Sequence, residues 1–339
     1  MRVVVAPDKF RGTATAAQAA DAMAAGVRAA GHRPITMPLA DGGEGLLDVL
    51  GGPNRVMSVT GPLGDDVDAA WRLDGRTAII EMARASGLQL VGGADANDAV
   101  AASTFGTGEL IAAALEAGAR RVLVGAGGSA TTDGGLGALR AMLSSRLRGV
   151  ELVVACDVRT HFVDAAEQFA EQKGATPAQV ELLRRRLERL ADVYLEEYGV
   201  DVRELDGGGA AGGLAGGLAT VGAHLTSGFE MVAEELGLDE ALEDADLVIT
   251  GEGFVDEGSF DGKVVGGVVE WATEAGVPVL VVAGEVFDHD EVRRLAGDAA
   301  TVDVVDLVAE YGRERALADT AAVLETAVTD WLAGRSIPA

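Results

Sequence analysis

Of the 27 basic residues only three are lysines, and each sits in a glycine-rich or turn-like setting: Lys9 in APDKFRG, Lys173 in EQKGAT and Lys263 in DGKVVGG. A lysine ammonium is a compact charge on a flexible stem. It can follow an oxygen that moves during phosphoryl transfer, and arginine is no free substitute there. Acids recur in matching settings. LADGGEG carries Asp41 and Glu44, VACD ends in Asp157, and TGEGFVDEGS carries Glu252 and Asp256. The stretch GAGGSATTDGG, Gly125 to Gly135, adds five glycines, three small hydroxyls and Asp133 directly after the apolar run RRVLV. Glycines let backbone N–H groups approach phosphate oxygens, and carboxylates at the same edge can hold Mg²⁺ or accept a hydroxyl proton. Each motif alone is ordinary turn chemistry. Four acidic motifs with three lysines in similar settings favour phosphoryl transfer.

The elements that must position these groups follow from the pattern. VVVAPD, ITMPLAD, DLVITGEG, VPVLVVAGE and TVDVVDLV read as buried strands alternating with helices over Ala16 to Ala30, Val265 to Ala275, the segment DEVRRLAG and Ala316 to Ala333. That alternation predicts a parallel, doubly wound sheet. Between the two ends, VMSVTG, AAWRLDG and TAIIEMA are short runs separated by turn residues, which predicts an antiparallel meander. RRVLVGAGG and ELVVACD then resume strand–helix alternation, ahead of a charged helix from Ala178 to Tyr198. The expected fold class is therefore α/β with two α/β domains. One is a Rossmann-like parallel-sheet domain built from both chain ends, 1–50 with 241–339. The other is an inserted mixed α/β domain, 51–240. In open parallel sheets ligands bind outside the carboxyl ends of the strands, so the motifs should converge there, in a cleft between the domains.

Composition bounds the function. At 339 residues the chain exceeds the usual single core. A formal charge of -27 disfavours nonspecific binding to nucleic acid or to an anionic membrane. The single cysteine, Cys156, excludes an internal disulfide and fits a reducing cytoplasm. The uncharged Gly207–Ala223 stretch holds eight glycines and is too short to span a bilayer, so it reads as a loop leading into a closely packed helix. Neither GxxxxGK[ST] nor a protein-kinase HRD or DFG set is present. GAGGSA is an imperfect dinucleotide fingerprint and lacks the expected acid after it, which leaves a nicotinamide oxidoreductase as a weaker alternative.

APDKFRG, PLADGGEG, TGPLG, EMARASGL, TFGTGELI, GAGGSATTDGG, ACDV, QKGAT, GAAGGL, DADLVITGEG and VPVLVVAGE occur in an order that resembles the bacterial type I glycerate kinase family, over roughly residues 1–285. The resemblance implies ATP- and Mg²⁺-dependent phosphorylation of D-glycerate, usually at the 2-hydroxyl. The partners it implies are glycerate and ATP, with a homodimer as an open assembly, in the cytoplasm. Under it, Gly127, Gly128 and Ser129 cradle phosphate or acceptor carboxylate. Asp133 leads as base, with Asp41 and Asp157 as alternatives. Glu252 and Asp256, with Asp157, are candidates for Mg²⁺ or its waters. Lys9 and Arg11 bind the acceptor carboxylate or the moving phosphoryl group, and Lys173 and Lys263 neutralise developing charge. Glu44 and Arg159 complete the substrate-binding set. Two loops depart from the family: RTHFVDAAEQFAEQKGAT lacks the usual Asn-Pro-Leu and several glycines, and the usual Asp-x-Gln-Thr is Asp256-Glu-Gly-Ser259. Those departures leave open another hydroxy acid as acceptor, or a catalytically silent relative.

Overall fold

The β-branched runs form β1 (Arg2–Val5), β2 (Arg33–Thr36), β3 (Arg55–Thr60), β4 (Asp66–Asp74), β5 (Thr77–Glu81), β6 (Arg121–Gly125), β7 (Glu151–Ala155), β8 (His224–Thr226), β9 (Leu247–Glu252), β10 (Val279–Ala283) and β11 (Val302–Asp306). The structure is a computed structural model that describes residues 1–142, 147–260, 262–289, 292, 294 and 302–334. The chain divides into two compact units, Met1–Asp41 with Val232–Ala339, and Gly42–Met231.

The discontinuous unit holds a sheet in the order β11-β10-β9-β1-β2, parallel at every pairing. Its central strands read as unbroken apolar runs because helices cover both faces: Val3, Val4 and Val5, and all five residues of β10, are buried. The helix Ala16–Ala29 starts at a capping box, in which Gln18 N donates to Thr15 Oγ1 and Thr15 N donates to Gln18 Oε1. It packs closely on the helix Thr320–Gly334. A Cβ at Gly26 would stand 2.6 Å from Glu325 O, so only glycine permits that approach.

The inserted unit holds a mixed sheet in the order β3-β4-β5-β6-β7-β8. The expected meander is present, since β3, β4 and β5 pair antiparallel, while β5 through β8 run parallel. The long helix Pro177–Tyr198 begins at a Thr176–Gln179 capping box with Pro177 in its first turn. It buries Leu183, Leu187, Ala191 and Tyr194 in one cluster with Phe162.

The α/β class and both sheet types match the sequence expectation, with differences at the joints. The units part at 41/42 and 231/232, earlier than the expected 50/51 and 240/241. The reason at the first joint is Glu81, at the end of β5, whose Oε1 accepts from Gly45 N and Leu47 N and ties the short helix Leu46–Val49 to the inserted sheet. The last helix is divided at Asp319 into Arg313–Ala318 and Thr320–Gly334. The helix expected over DEVRRLAG lies largely outside the described residues. The glycine-rich stretch does enter a helix, Ala210–Ala219, whose first residues Ala211, Gly212 and Gly213 are left-handed.

Candidate active site

In the discontinuous unit, β1 runs on into Asp8 and Lys9. Ala6 N and Asp8 N still donate to Ile249 O and Gly251 O, which holds this segment alongside β9 at its carboxyl end. The Asp8 side chain is 6% exposed, and its Oδ1 accepts from Lys9 N at 2.6 Å. Its carboxyl is pushed up to about 7, first by burial, then by the charge of Asp41, with Glu252 adding a smaller push. Lys9 opposes that shift, and its Nζ stands 3.5 Å from Asp41 Oδ1.

Glu252, the last residue of β9, is also raised by burial. A bond from Ser259 and the charge of Lys263 oppose the shift. Its Oε1 is buried without a hydrogen-bond partner among the described residues. Asp256 spends part of its carboxylate on the turn Glu257–Phe260, because Ser259 N donates to Oδ1 at 3.2 Å. A Cβ at Gly258 would meet both Asp256 Oδ1 and Lys263 Nζ within 4 Å, so Lys263 reaches the same loop from the first residue before the helix Val264–Glu274. Arg11 lies on the exposed turn closed by the Phe10–Ala14 bridge. Lys9, Asp41, Glu252, Asp256 and Lys263 therefore gather with Asp8 at one edge of this sheet.

Among the described residues no three carboxylates, imidazoles or thiols stand close enough to hold a metal ion by themselves. Mg²⁺ is ordinarily bound by one or two carboxylates together with water and phosphate oxygens. The unpartnered Glu252 Oε1, with Asp256 beside it, offers hard oxygen donors of that kind, so the residues fit Mg²⁺ arriving with a phosphate.

In the inserted unit the glycine-rich loop follows β6. The amides of Gly127, Gly128 and Ser129 have no hydrogen-bond partner among the described residues, although Gly128 O accepts from Leu88 N and Ser86 O accepts from Ala130 N. Gly128 has φ 72°, and a Cβ at Gly127 would stand 2.7 Å from Gly43 Cα. Three unpaired amides, two of them on glycines that a neighbouring backbone or methyl group approaches closely, are donors of the kind that bind anions. Arg84, two-fifths exposed, donates from Nε to Glu81 Oε2 at 2.7 Å; its neighbour Ala83 abuts Gly128. Glu44 is exposed on the loop packed against Gly127, and Asp157 and Arg159 are exposed after β7.

Two expected chemical groups serve the architecture of this loop instead. The Asp133 carboxylate accepts from Thr104 N, Thr104 Oγ1, Gly135 N and Gly137 N at 2.9–3.1 Å, with Ser103 Oγ at 3.4 Å. These bonds tie the Asp133 side chain to the start of the helix Phe105–Glu116 and to its own loop, so in this structure it holds the loop in shape. Lys173 is 4% exposed, and its Nζ donates to Ser129 Oγ and Thr131 O at 2.7 Å each. Burial pulls it down to about 7, and Asp133 opposes the shift. Lys173 thus props the loop from behind. Cys156, pushed up to about 12 by burial, is packing.

Sequence reasoning missed Asp8, Arg84 and Asn97. Asp8 had a usable signal, being an acid at a strand end as Asp41 and Asp157 are. Asn97 Nδ2, which ties Ala130 O to Lys173 O, had none.

The family model described as the glycerate kinase family matches residues 3–144 and 141–333. The chain is 38% identical to a glycerate kinase of Bacillus subtilis (strain 168), over 98% of this chain and 100% of that one. It is 39% identical to a glycerate 2-kinase of Escherichia coli (strain K12), over 85% and 86%. Its fold superposes with TM-score 0.84 at 35% identity on a crystal structure assigned as glycerate kinase 2 from Salmonella typhimurium LT2, covering 98% and 97% of the two chains.

Proposed function

The chain belongs to the glycerate kinase family, and we propose that it transfers the terminal phosphoryl group of ATP to D-glycerate, giving 2-phosphoglycerate and ADP. The observation that carries the mechanism is Asp8, a buried carboxyl near neutrality beside Lys9 at the carboxyl edge of a parallel sheet. A base of that strength is matched to taking a hydroxyl proton at neutral pH. In the step, the acceptor oxygen forms a bond to the terminal phosphorus as the bond from that phosphorus to the ADP oxygen breaks. The hydroxyl proton passes to Asp8. Lys9 and Lys263 offset the charge that builds on the moving oxygens, and Arg11 adds a cation at the exposed turn. Glu252 and Asp256 would hold Mg²⁺, which would supply charge neutralisation at the phosphates. The free amides of Gly127, Gly128 and Ser129, with Arg84 beside them, bind an oxyanion of the substrates. Lys173 and Asp133 hold that loop in shape. Glu44, Asp157 and Arg159 are left to acceptor recognition. Phe254 and Phe287, 45% and 78% exposed with ring centroids 6.2 Å apart, follow Glu252 and β10 and offer an apolar face for the purine.

No helix among the described residues is long and apolar enough to cross a membrane. The test is phosphorylation by the purified protein with Mg·ATP across D- and L-glycerate, tartronate, erythronate and glycolate, with phosphorus NMR of the product. Turnover of D-glycerate to the 2-phosphate is expected. Turnover of another acid alone, or the 3-phosphate as product, would overturn the assignment of acceptor or position. Absence of turnover with every acid would overturn the kinase reading.

A further inference from the structure

In the discontinuous unit, the loop after β10 carries an imidazole that the proposed step does not use. Asp306, the last residue of β11, is 6% exposed, and its carboxylate accepts from Val286 N at 3.1 Å and from Ala309 N at 2.9 Å. The Nε2 of His289, whose side chain is 48% exposed, stands 3.1 Å from the same Asp306 Oδ2. Two lone pairs do not face each other at that distance, so the ring proton sits on Nε2 and the neutral ring keeps a lone pair on Nδ1. The imidazole is not needed to fasten the loop. Main-chain donors already hold it, with Val286 N on Asp306, Phe287 N on Val255 O and Val308 N on Gly284 O. Strand register places the pair on the edge already described: Asp306 is level with Ala283, and Ala283 with Glu252. Partners in register share a face and neighbouring strands stand just under 5 Å apart, so Asp306 lies about 10 Å from Glu252 along this edge, with only the Ala283 methyl group between them.

We propose that His289, oriented by Asp306, accepts a hydrogen bond from a ribose hydroxyl of the nucleotide. The inference rests on the placement of ATP at this edge in the kinase reading, with its phosphates at Glu252 and its purine on Phe254 and Phe287. The sugar joins those two parts, and His289 stands two residues beyond Phe287 on a pair that is level with Glu252. A lone pair on Nδ1 calls for a ligand that brings a donor. The phosphates of ATP are acceptors, and its donors are the two ribose hydroxyls and the exocyclic amine of the base. The amine lies on the base, away from the phosphates, whereas the hydroxyls lie between base and phosphates, where the His289–Asp306 pair stands.

The test is calorimetric titration of Mg·ADP, its 2′-deoxy form and its 3′-deoxy form into the full chain and into His289→Ala, with urea unfolding to show that the variant is folded. Wild type is expected to bind ADP about three- to tenfold more tightly than one of the two deoxy nucleotides, the worth of one hydrogen bond. His289→Ala loses that preference and binds the disfavoured deoxy nucleotide as wild type does. A role confined to fastening the loop, or a contact with phosphate or with the amine, would instead weaken all three nucleotides equally. That equal loss would overturn the proposal, as would equal affinities in wild type, a preference kept in His289→Ala, or absence of ADP binding. Binding with the expected preference but without turnover of any hydroxy acid would overturn the kinase reading and leave the role of His289 standing.

Discussion

Lys173 makes a stability prediction with a defined sign. Its ammonium is buried, and its folded pKa is pulled from 10.5 down to about 7. Between those values the unfolded chain carries the proton and the folded chain does not. Stability contributed at this site therefore rises with pH from about 7 towards 10.5 and is flat below 7. Each pH unit is worth about 1.4 kcal/mol, so from pH 7 to pH 9 wild type gains roughly 2.7 kcal/mol over Lys173→Met, which cannot titrate. The neutral amine retains two donors for Ser129 Oγ and Thr131 O, so its bonds survive deprotonation. Methionine fills similar volume but leaves both acceptors unmet, at about 1–3 kcal/mol each. The assay is urea unfolding at pH 6, 7, 8 and 9. Trp71, 3% exposed in the core of the inserted unit, serves as reporter, with Trp271 and Trp331 replaced by phenylalanine in both proteins. A stability difference that is flat or falling between pH 7 and 9 would refute the burial argument for Lys173.

Other outcomes follow from the same geometry. Asp133→Asn turns an amide towards donors that now meet a carboxylate, so it lowers the stability of the inserted unit by about 2–4 kcal/mol in urea unfolding. Gly128→Ala, at φ 72° and with Ala83 Cβ 3.2 Å from the new methyl group, costs about 1–2 kcal/mol and raises the KM of an anionic substrate more than it lowers kcat. Phe287→Ala raises the KM for ATP by about three- to tenfold, corresponding to about 1 kcal/mol of lost stacking, and leaves the KM for glycerate unchanged.

Much of this was legible in the sequence because it depends on pattern. Unbroken apolar runs in β1, β9 and β10 mark strands covered on both faces, and the alternating, turn-bounded runs of β3 to β5 mark a meander. Capping residues Thr15 and Thr176 set helix starts that fall within a residue of the expected ones. The roles of charged groups were less legible, because burial and pairing are set by residues distant in the chain. Asp133 reads as a base in GGSATTDGG, but Thr104, about thirty residues earlier, also donates to it, a bond that the local sequence does not show. Lys173 looks like a phosphate cation, but Ser129 and Thr131 claim its ammonium. The Asp8 carboxyl is raised towards neutrality only through burial and the neighbouring charges of Asp41 and Glu252. The early domain joint was hidden for the same reason, since it rests on Glu81 bonding to amides 34 and 36 residues away.

The assignment of Asp8 is tested most directly by kcat of Asp8→Asn with D-glycerate and Mg·ATP at pH 8, measured beside its urea unfolding. The raised carboxyl of Asp8 makes the folded state bind the proton more tightly between its ordinary pKa and about 7. That stability is present at low pH and lost as pH rises through 7, so an uncharged amide should leave the fold at pH 8 as stable as wild type or more so. A fall in kcat of about 10²- to 10⁴-fold without loss of stability is the expected result. Near-wild-type kcat in a folded Asp8→Asn protein would contradict the assignment of Asp8 as base.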